Sequence, residues 1–396
     1  MKRFITIYLF ELKKIYGKKM VWTAAAVLLA LQLASNVVSL FMKYATVDAD
    51  GNVTYQTGYE EDMGVREAAQ AISGRKIDDS LLSEMRKAYE EDGRSAEEIV
   101  KDRQTYREIY NYVVNYTGFG MVIDLDEEEL YQIRRDTLDE ENQYWELNEE
   151  EIRYWENQEN TIEKPFVYEY NDGACRFFAR INFLSLLWLS LIGIGLANFF
   201  GEEHIRRTDQ LILCSKNGKE PLYLAKMAAG ITFGIVGTVL FYLVQLLTIL
   251  AIYGMGGFDL PLQLYLWESS FPISLGGAII ISFFLSLAAA VLGSVFIMLL
   301  SELFRNGVAA LSVMLGATLF TMFVAVPVRY GLISQLYNFM PMRFFRDTAF
   351  MDKRLFCIFG KYFTGLQAAP VFYLVLAVIL AGIGYKVYKE CQVSGR

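Results

Sequence analysis

Residues 273–300 read ISLGGAIIISFFLSLAAAVLGSVFIMLL, twenty-eight in a row without Asp, Glu, Lys, Arg or His. Crossing the hydrocarbon of a bilayer takes about 20 mostly apolar residues. This stretch is long enough to cross, and nothing in it would be costly to bury in lipid. The same test, applied outward along the chain, finds five more such stretches: Met20–Met42, Ile181–Phe200, Met227–Tyr253, Gly307–Val328 and Ala368–Tyr385. The chain of 396 residues is 54 % hydrophobic and 15 % aromatic, with a mean hydropathy of +0.26. These values exclude a disordered or disulfide-scaffold protein and argue against an ordinary soluble domain. The first stretch is too long for a signal-peptide core, and no small-residue cleavage site follows it.

Charge is segregated. Residues 43–180 carry 34 Asp and Glu against 16 Lys and Arg, a balance of −18, while the rest of the chain is at +10. An acidic polar block inside an apolar, basic chain reads as a soluble domain set into a membrane protein. Its acidity argues against nucleic acid as a partner. Lys2, Arg3, Lys13, Lys14, Lys18 and Lys19 precede the first span against a single acid, Glu11, so the amino terminus is expected inside. Six spans return the tail 386–396 to the same side and place the 43–180 domain outside. The segment Arg329–Gly365 falls outside on this count despite a net charge of +4. Its Phe and Tyr content suits an interfacial segment.

The expected architecture is therefore mainly α: a polytopic membrane protein with six transmembrane helices. Residues 1–19 form an amphipathic interfacial helix, with Phe4, Tyr8, Leu12 and Ile15 at helical spacing. Residues 20–42 are span 1, residues 43–180 a mostly helical extracellular domain, and residues 181–385 spans 2–6. The last region includes the inner loop 201–226 and the outer segment 329–365.

Within the outer domain, Thr46–Val47 and Val53–Tyr55 flank an Asp/Gly/Asn turn at 48–52, a hairpin pattern. That turn lacks the spacing and the distal Glu of a calcium loop. Asp78-Asp79-Ser80 caps a helix from Leu81, with Ile77 packing back on it. Ser95–Asn115 reads as a second helix, and Thr117–Gly120 breaks the pattern. Asp126–Glu159 reads as one long helix with Tyr131, Leu138, Trp145 and Ile152 on a heptad stripe. The acidic domain is expected to rest on the basic run Arg343, Arg346, Lys353 and Arg354.

Catalytic chemistry finds little footing. The only histidine, His204, sits among Glu202, Glu203 and Arg206. The four cysteines are scattered and form no zinc pattern. Cys175 and Cys357 both fall on the outer side, where a disulfide is conceivable. No phosphate-binding Gly-x-x-x-x-Gly-Lys-Ser/Thr occurs. The spans carry amides rather than charges. Gln32, Asn36, Asn182 and Asn198 are the candidates to line a translocation path, with Gln245 on span 3. Gly230 and Gly234 form a GxxxG pair suited to close packing within the chain or to a dimer contact.

Three functions remain open on these residues: a permease, a membrane sensor or mechanical transmitter working through the outer domain, and a secondary carrier. The lack of ionisable groups within the spans weighs against the last.

The stretch after span 2 carries the most specific pattern: FFGEEHIRRTDQLILCSKNGK over residues 199–219, with Lys226 opening the next span. It resembles the cytoplasmic loop of ABC-2 type exporter permeases, especially those of Gram-positive bacteria, which have an acidic residue after a helix, then Thr, a Leu-rich turn, Ser, Gly-Arg/Lys and Lys. Glu202 or Glu203, Thr208, Leu211, Leu213, Ser215, Gly218, Lys219 and Lys226 match those places. Arg207 stands where the family often has Gly. Phe10-Glu11-Leu12-Lys13-Lys14 is similar to the family's opening helix, and a large insert after span 1 is shared by many such permeases. The resemblance implies a non-enzymatic transport subunit in the bacterial plasma membrane with both termini cytoplasmic. It implies pairing with an identical or different second half and with separate P-loop ATPase subunits, which hold ATP and Mg, so that this chain binds no cofactor of its own. Residues 201–226 would be the coupling element. Glu202, Glu203, Arg206 and Arg207, together with Asp209, would be its polar contacts. Leu211, Ile212 and Leu213 would be its apolar face.

Overall fold

The computed structural model describes residues 2–47, 53–90, 95–117, 125–205 and 220–390. Helix α1 (Lys2–Tyr16) leads into α2 (Lys19–Phe41). The domain that the sequence leads one to expect outside, called the outer domain for that expectation, follows, with an antiparallel pair β1 (Lys43–Val47) and β2 (Val53–Thr57), and helices α3 (Gly58–Gln70), α4 (Asp79–Tyr89), α5 (Ala96–Thr117), α6 (Glu127–Tyr144) and α7 (Glu149–Glu159). The short α8 (Asp172–Ala179) re-enters the bundle, which continues with α9 (Ile181–Leu196), α10 (Gly201–Ile205), α11 (Glu220–Tyr253), α12 (Leu275–Phe304) and α13 (Gly307–Phe323). The chain ends with α14 (Leu332–Asn338), α15 (Pro341–Phe344), the small hairpin β3 (Phe356–Ile358) and β4 (Lys361–Phe363), and α16 (Gly365–Glu390).

Among the described residues, five helical stretches are long and apolar enough to cross a membrane: Lys19–Phe41, Ile181–Glu203, Glu220–Tyr253, Leu275–Phe304 and Gly365–Glu390. The sixth expected span is shorter than its sequence suggested. Helix α13 stops at Phe323, and its 17 residues reach about 26 Å at 1.5 Å each. Pro327 explains the stop, because its ring would strike the carbonyl four residues back, that of Phe323. The extended segment that follows leaves carbonyls without helical donors. Tyr337 Oη donates to Val324 O at 3.1 Å, and Ser334 Oγ donates to Val326 O at 3.1 Å.

The bundle core is built from large side chains on α9, α11, α12 and α16, with Trp188, Phe241, Ile297 and Tyr373 fully buried. Gly230 and Gly234 serve this core. A side chain at Gly230 would collide with Met298 Sδ, and one at Gly234 with Ser294 Oγ. The pair therefore brings α11 against α12 within one chain. Gly234→Val should overpack that contact and destabilise the fold by about 1–3 kcal/mol. Thermal unfolding of the detergent-solubilised chain would read this as a lowered midpoint, and an unchanged midpoint would place the glycine on a free surface.

The outer domain has its own core of Ala69, Ile77, Leu81, Leu82, Met85, Ile109, Val113, Leu130 and Phe166. The expected cap is present: Asp78 Oδ1 accepts from Leu81 N at 3.0 Å, and Ile77 is buried behind it. The hairpin pairs as expected, while its turn at 48–52 and the break at 118–120 lie outside the described residues. The long helix expected over Asp126–Glu159 is instead two. Glu146 has φ of 52°, and Asn148 starts α7 with a capping box to Glu151. The heptad stripe is buried as far as the corner, at Tyr131, Leu138 and Trp145, while Ile152 beyond it is half-buried.

The corner rests on the 353–362 segment. Trp155 Nε1 donates to Lys353 O at 2.5 Å, and Leu355 N donates to Glu151 Oε1 at 2.9 Å. Lys353 Nζ reaches Leu138 O at 3.4 Å and Asn142 Oδ1 at 3.3 Å, and the Arg354 guanidinium lies 4.9 Å from the Trp145 ring centroid. Tyr362 Oη bonds Glu150. The basic segment and the acidic domain therefore share one end of the bundle. Lys353 and Arg354 make the contact, while Arg346 stays exposed. Cys175 and Cys357 are both free thiols, so no disulfide joins them; Cys175 Sγ donates to Asn171 Oδ1 at 3.2 Å.

Candidate functional site

The opposite end of the bundle holds a network of paired charges. Lys226, on the second turn of α11, is fully buried. Its ammonium lies 2.7 Å from Glu203 Oε1 and donates to Phe199 O at 3.2 Å. The rings of Phe199 and Phe200 stand 5.3 and 4.7 Å from it. A buried charge is costly unless it is paired and hydrogen-bonded, and here both conditions are met. The same Glu203 oxygen receives Lys14 Nζ at 3.5 Å, Lys14 bonds Glu11 Oε1 at 2.7 Å, and Lys18 pairs with Glu202 Oε2 at 3.0 Å. Among the described residues, the ammonium groups of Lys14, Lys18 and Lys226 and the carboxylates of Glu11, Glu202 and Glu203 thus join α1, the turn after it, α10 and α11.

The floor of this network is α12. Ser301 Oγ accepts from the backbone N–H of Phe200 at 3.1 Å and of Gly201 at 3.2 Å. These amides open α10, and Ser301 satisfies them where no helical carbonyl is in reach. A side chain at Gly201 would sit 3.3 Å from the Arg305 carbonyl carbon, which favours glycine at this crossing. Tyr223 ties in the last helix, with Oη donating to Ala381 O at 2.6 Å.

Of the expected loop residues, Glu202 and Glu203 lie in this network, as does Lys226. Arg206, Arg207, Thr208, Asp209, Leu211, Leu213, Gly218 and Lys219 lie outside the described residues, as do Ile212 and Ser215. His204 falls on α10. The structure brings both ends of the 206–219 stretch together at the Glu203–Lys226 pair. Sequence reasoning missed Glu11, Lys14, Lys18 and Ser301. Glu11 carried a signal: it is the one acid in a basic helix, buried to 1 % exposure on the face that packs against α11.

The expected path residues fall into three separate places. Gln32 and Asn36 on α2 clasp Gln245 on α11: Gln32 Nε2 donates to Phe241 O at 2.8 Å, and Asn36 Nδ2 to Gln245 Oε1 at 2.8 Å. Gln245 Nε2 returns a bond to Asn36 Oδ1 at 3.2 Å. Asn182 lies apart, donating to Met342 O at 3.1 Å, and Asn198 lies near the charge network, against Gly307.

A second titratable cluster sits where the outer domain meets the spans. Arg176 bridges Asp172 at 2.8 Å and Asp62 at 3.1 Å, and its guanidinium lies 4.7 Å from the Tyr253 ring centroid. Glu108 on α5 accepts from Tyr168 Oη nearby. Burial pushes the Glu108 carboxyl up from 4.5 to about 7. The Tyr168 bond, the Arg107 charge and an Asn171 backbone bond oppose this, while Asp172 adds to it. A carboxyl raised by folding stabilises most when protonated. Its contribution is complete below about 4.5, its unfolded value, and is lost as pH rises through about 7. Amide protection across α5, taken relative to the intrinsic exchange rate at each pH, should therefore fall between pH 5 and pH 8 in the wild type. Glu108→Gln should flatten that dependence, and an equal pH response in both proteins would exclude Glu108 as its origin.

Residues 21–383 match the sequence model of a family described as ABC-2 family transporter protein. No curated protein and no solved structure matches the chain.

Proposed function

Because the chain belongs to the ABC-2 transporter family, a family of multi-pass membrane permeases, we propose that it is the transmembrane subunit of an ATP-driven exporter. In this reading a second permease half, identical or different, completes the path. Separate P-loop ATPase subunits bind ATP and Mg and dock at residues 201–226. The network end faces the cytoplasm with both termini, and the acidic domain faces outward.

One observation supports this reading above the others: the Glu203–Lys226 pair, cross-tied to Lys14 and seated on Ser301. A docking stretch whose two ends are fastened together moves α9, α11 and α1 as one body, as coupling requires. Glu202, Glu203, Arg206 and Arg207 would be the polar contacts to the ATPase, with Thr208, Asp209, Leu211, Leu213, Gly218 and Lys219 as the remaining members of the coupling loop.

Affinity purification in mild detergent, with quantitative mass spectrometry, tests the proposal. A P-loop ATPase should accompany the permease at about one copy each, and Glu203→Gln with Arg206→Ala should deplete it at least tenfold. Failure to recover any ATPase, under conditions that hold other membrane complexes together, would overturn the reading. A sensor built around the outer domain would then gain ground, since Arg134 of that domain grips the α11–α12 connection through Trp267 O and Ser269 O.

A further inference from the structure

Between the outer halves of α11 and α12 runs a groove of about 630 Å³, lined by Leu243, Leu246, Met255, Ile280 and Phe283, with Tyr242 in its floor. The floor is apolar even at the tyrosine, whose hydroxyl is spent on Ser286 Oγ at 2.8 Å and Ser282 O at 3.3 Å. Met255 and Ile280 are 73 % and 57 % exposed, so the groove opens sideways, where hydrocarbon would surround it. Its volume is in the range of small-molecule sites.

A second cleft of about 360 Å³ adjoins it, lined by Ser73, Gly74, Tyr168, Glu169, Asp259 and Pro261. Asp259 lines both spaces. The wall between them is fixed: Gly276 N donates to Phe258 O at 2.7 Å, Leu275 N to Leu260 O at 2.8 Å, and Leu262 N to Ile273 O at 3.0 Å. Neither Asp259 nor Glu169 has an ion-pair partner among the described residues. Among the described residues, no basic side chain lines either space.

We propose that this two-part site binds a cationic amphiphile, with its alkyl chain in the α11–α12 groove and its amine at Asp259 and Glu169. Two unpaired carboxylates at the mouth favour a positive headgroup and disfavour the phosphate of an ordinary lipid. The apolar groove supplies affinity by removing the chain from water. The inference deepens the exporter reading by naming a substrate class, and it places capture at the outer-leaflet level of the bundle.

The test uses the full chain in phosphatidylcholine nanodiscs and a hexadecylamine carrying a mid-chain diazirine. The control probe has the same chain with a sulfate head. Photolabelling should map to residues 239–258 and 276–283, be competed by plain hexadecylamine, and exceed the sulfate probe at least tenfold. Asp259→Asn with Glu169→Gln should erase most of that preference while leaving the thermal unfolding midpoint unchanged. Ile280→Trp should fill the groove and lower labelling by both probes. Equal labelling by the two heads, labelling spread evenly over α2 and α16, or an undiminished preference in the double variant would each overturn the proposal. No ATPase enters this measurement, so its failure leaves the exporter reading standing, and the loss of that reading leaves the binding result intact.

Discussion

Lys226→Met is expected to destabilise the chain by about 3–5 kcal/mol, the range for removing one partner of a buried ion pair. The substitution keeps much of the side-chain volume and removes only the charge. Glu203, whose side chain is 12 % exposed, would lose an ammonium at 2.7 Å, with Lys14 standing farther off at 3.5 Å. The Phe199 carbonyl would lose its donor as well. The thermal midpoint of the purified chain in detergent should fall by several degrees. Adding Glu203→Gln should restore most of the loss, because the carboxylate that lost this ammonium is then neutral. An unchanged midpoint in the single variant would mean that water reaches the site and the pair is not truly desolvated. The ATPase-capture experiment separates stability from docking: the double variant should fold and still fail to hold its partner.

Arg134→Ala should have an effect of similar size at the other end. Arg134 is 1 % exposed, and its guanidinium bonds Glu159 at 2.9 and 2.7 Å, Ser269 O at 3.1 Å and Trp267 O. It also lies 4.9 Å from the Trp267 ring centroid. Removal leaves two buried carbonyls without this donor and Glu159 with Lys164 alone, at 2.6 Å. The cost expected is about 3–5 kcal/mol. Because Trp267 belongs to the core of the outer domain, the variant should also release the 260–274 connection. Amide exchange at residues 266–271 should quicken well beyond that in the rest of the domain. Arg134→Lys should recover little, since a point charge cannot reproduce the planar fork. Uniform quickening over the whole domain would show that Arg134 serves the domain alone and not its link to the spans.

What could be read from the sequence was whatever depended on local pattern. Apolar runs located the spans, and the Asp78 cap fixed the start of α4. The basic flank with Tyr8, Leu12 and Ile15 marked α1 as amphipathic. The misses share a different cause. The α6–α7 corner fell on an unbroken heptad stripe, which masked the capping signal of Asn148. The early end of α13 was written in Pro327, four residues beyond the last helical position, inside a run that still scored as apolar. Glu11, Lys14 and Ser301 join the Glu203–Lys226 site through contacts with residues far along the chain, which no window of sequence can show. Trp267 entered the outer core in the same way. The amides of Gln32 and Asn36 were seen as polar groups in a membrane, but their partner Gln245 could only be found in space.

That distance along the chain bears on how the protein is made. Tyr8 bonds Thr232 across 224 residues, and Gln32 bonds Gln245 across 213. At ribosomal speeds of about 5–20 residues per second, the first helix and first span wait roughly 10–45 s for the segment that completes them. Throughout that interval two amides stand in the nascent span without Gln245, and Glu11 without the seam in which it is later buried. The polar clasp can close only once α11 has been made, so the amides of span 1 find their partner late in synthesis.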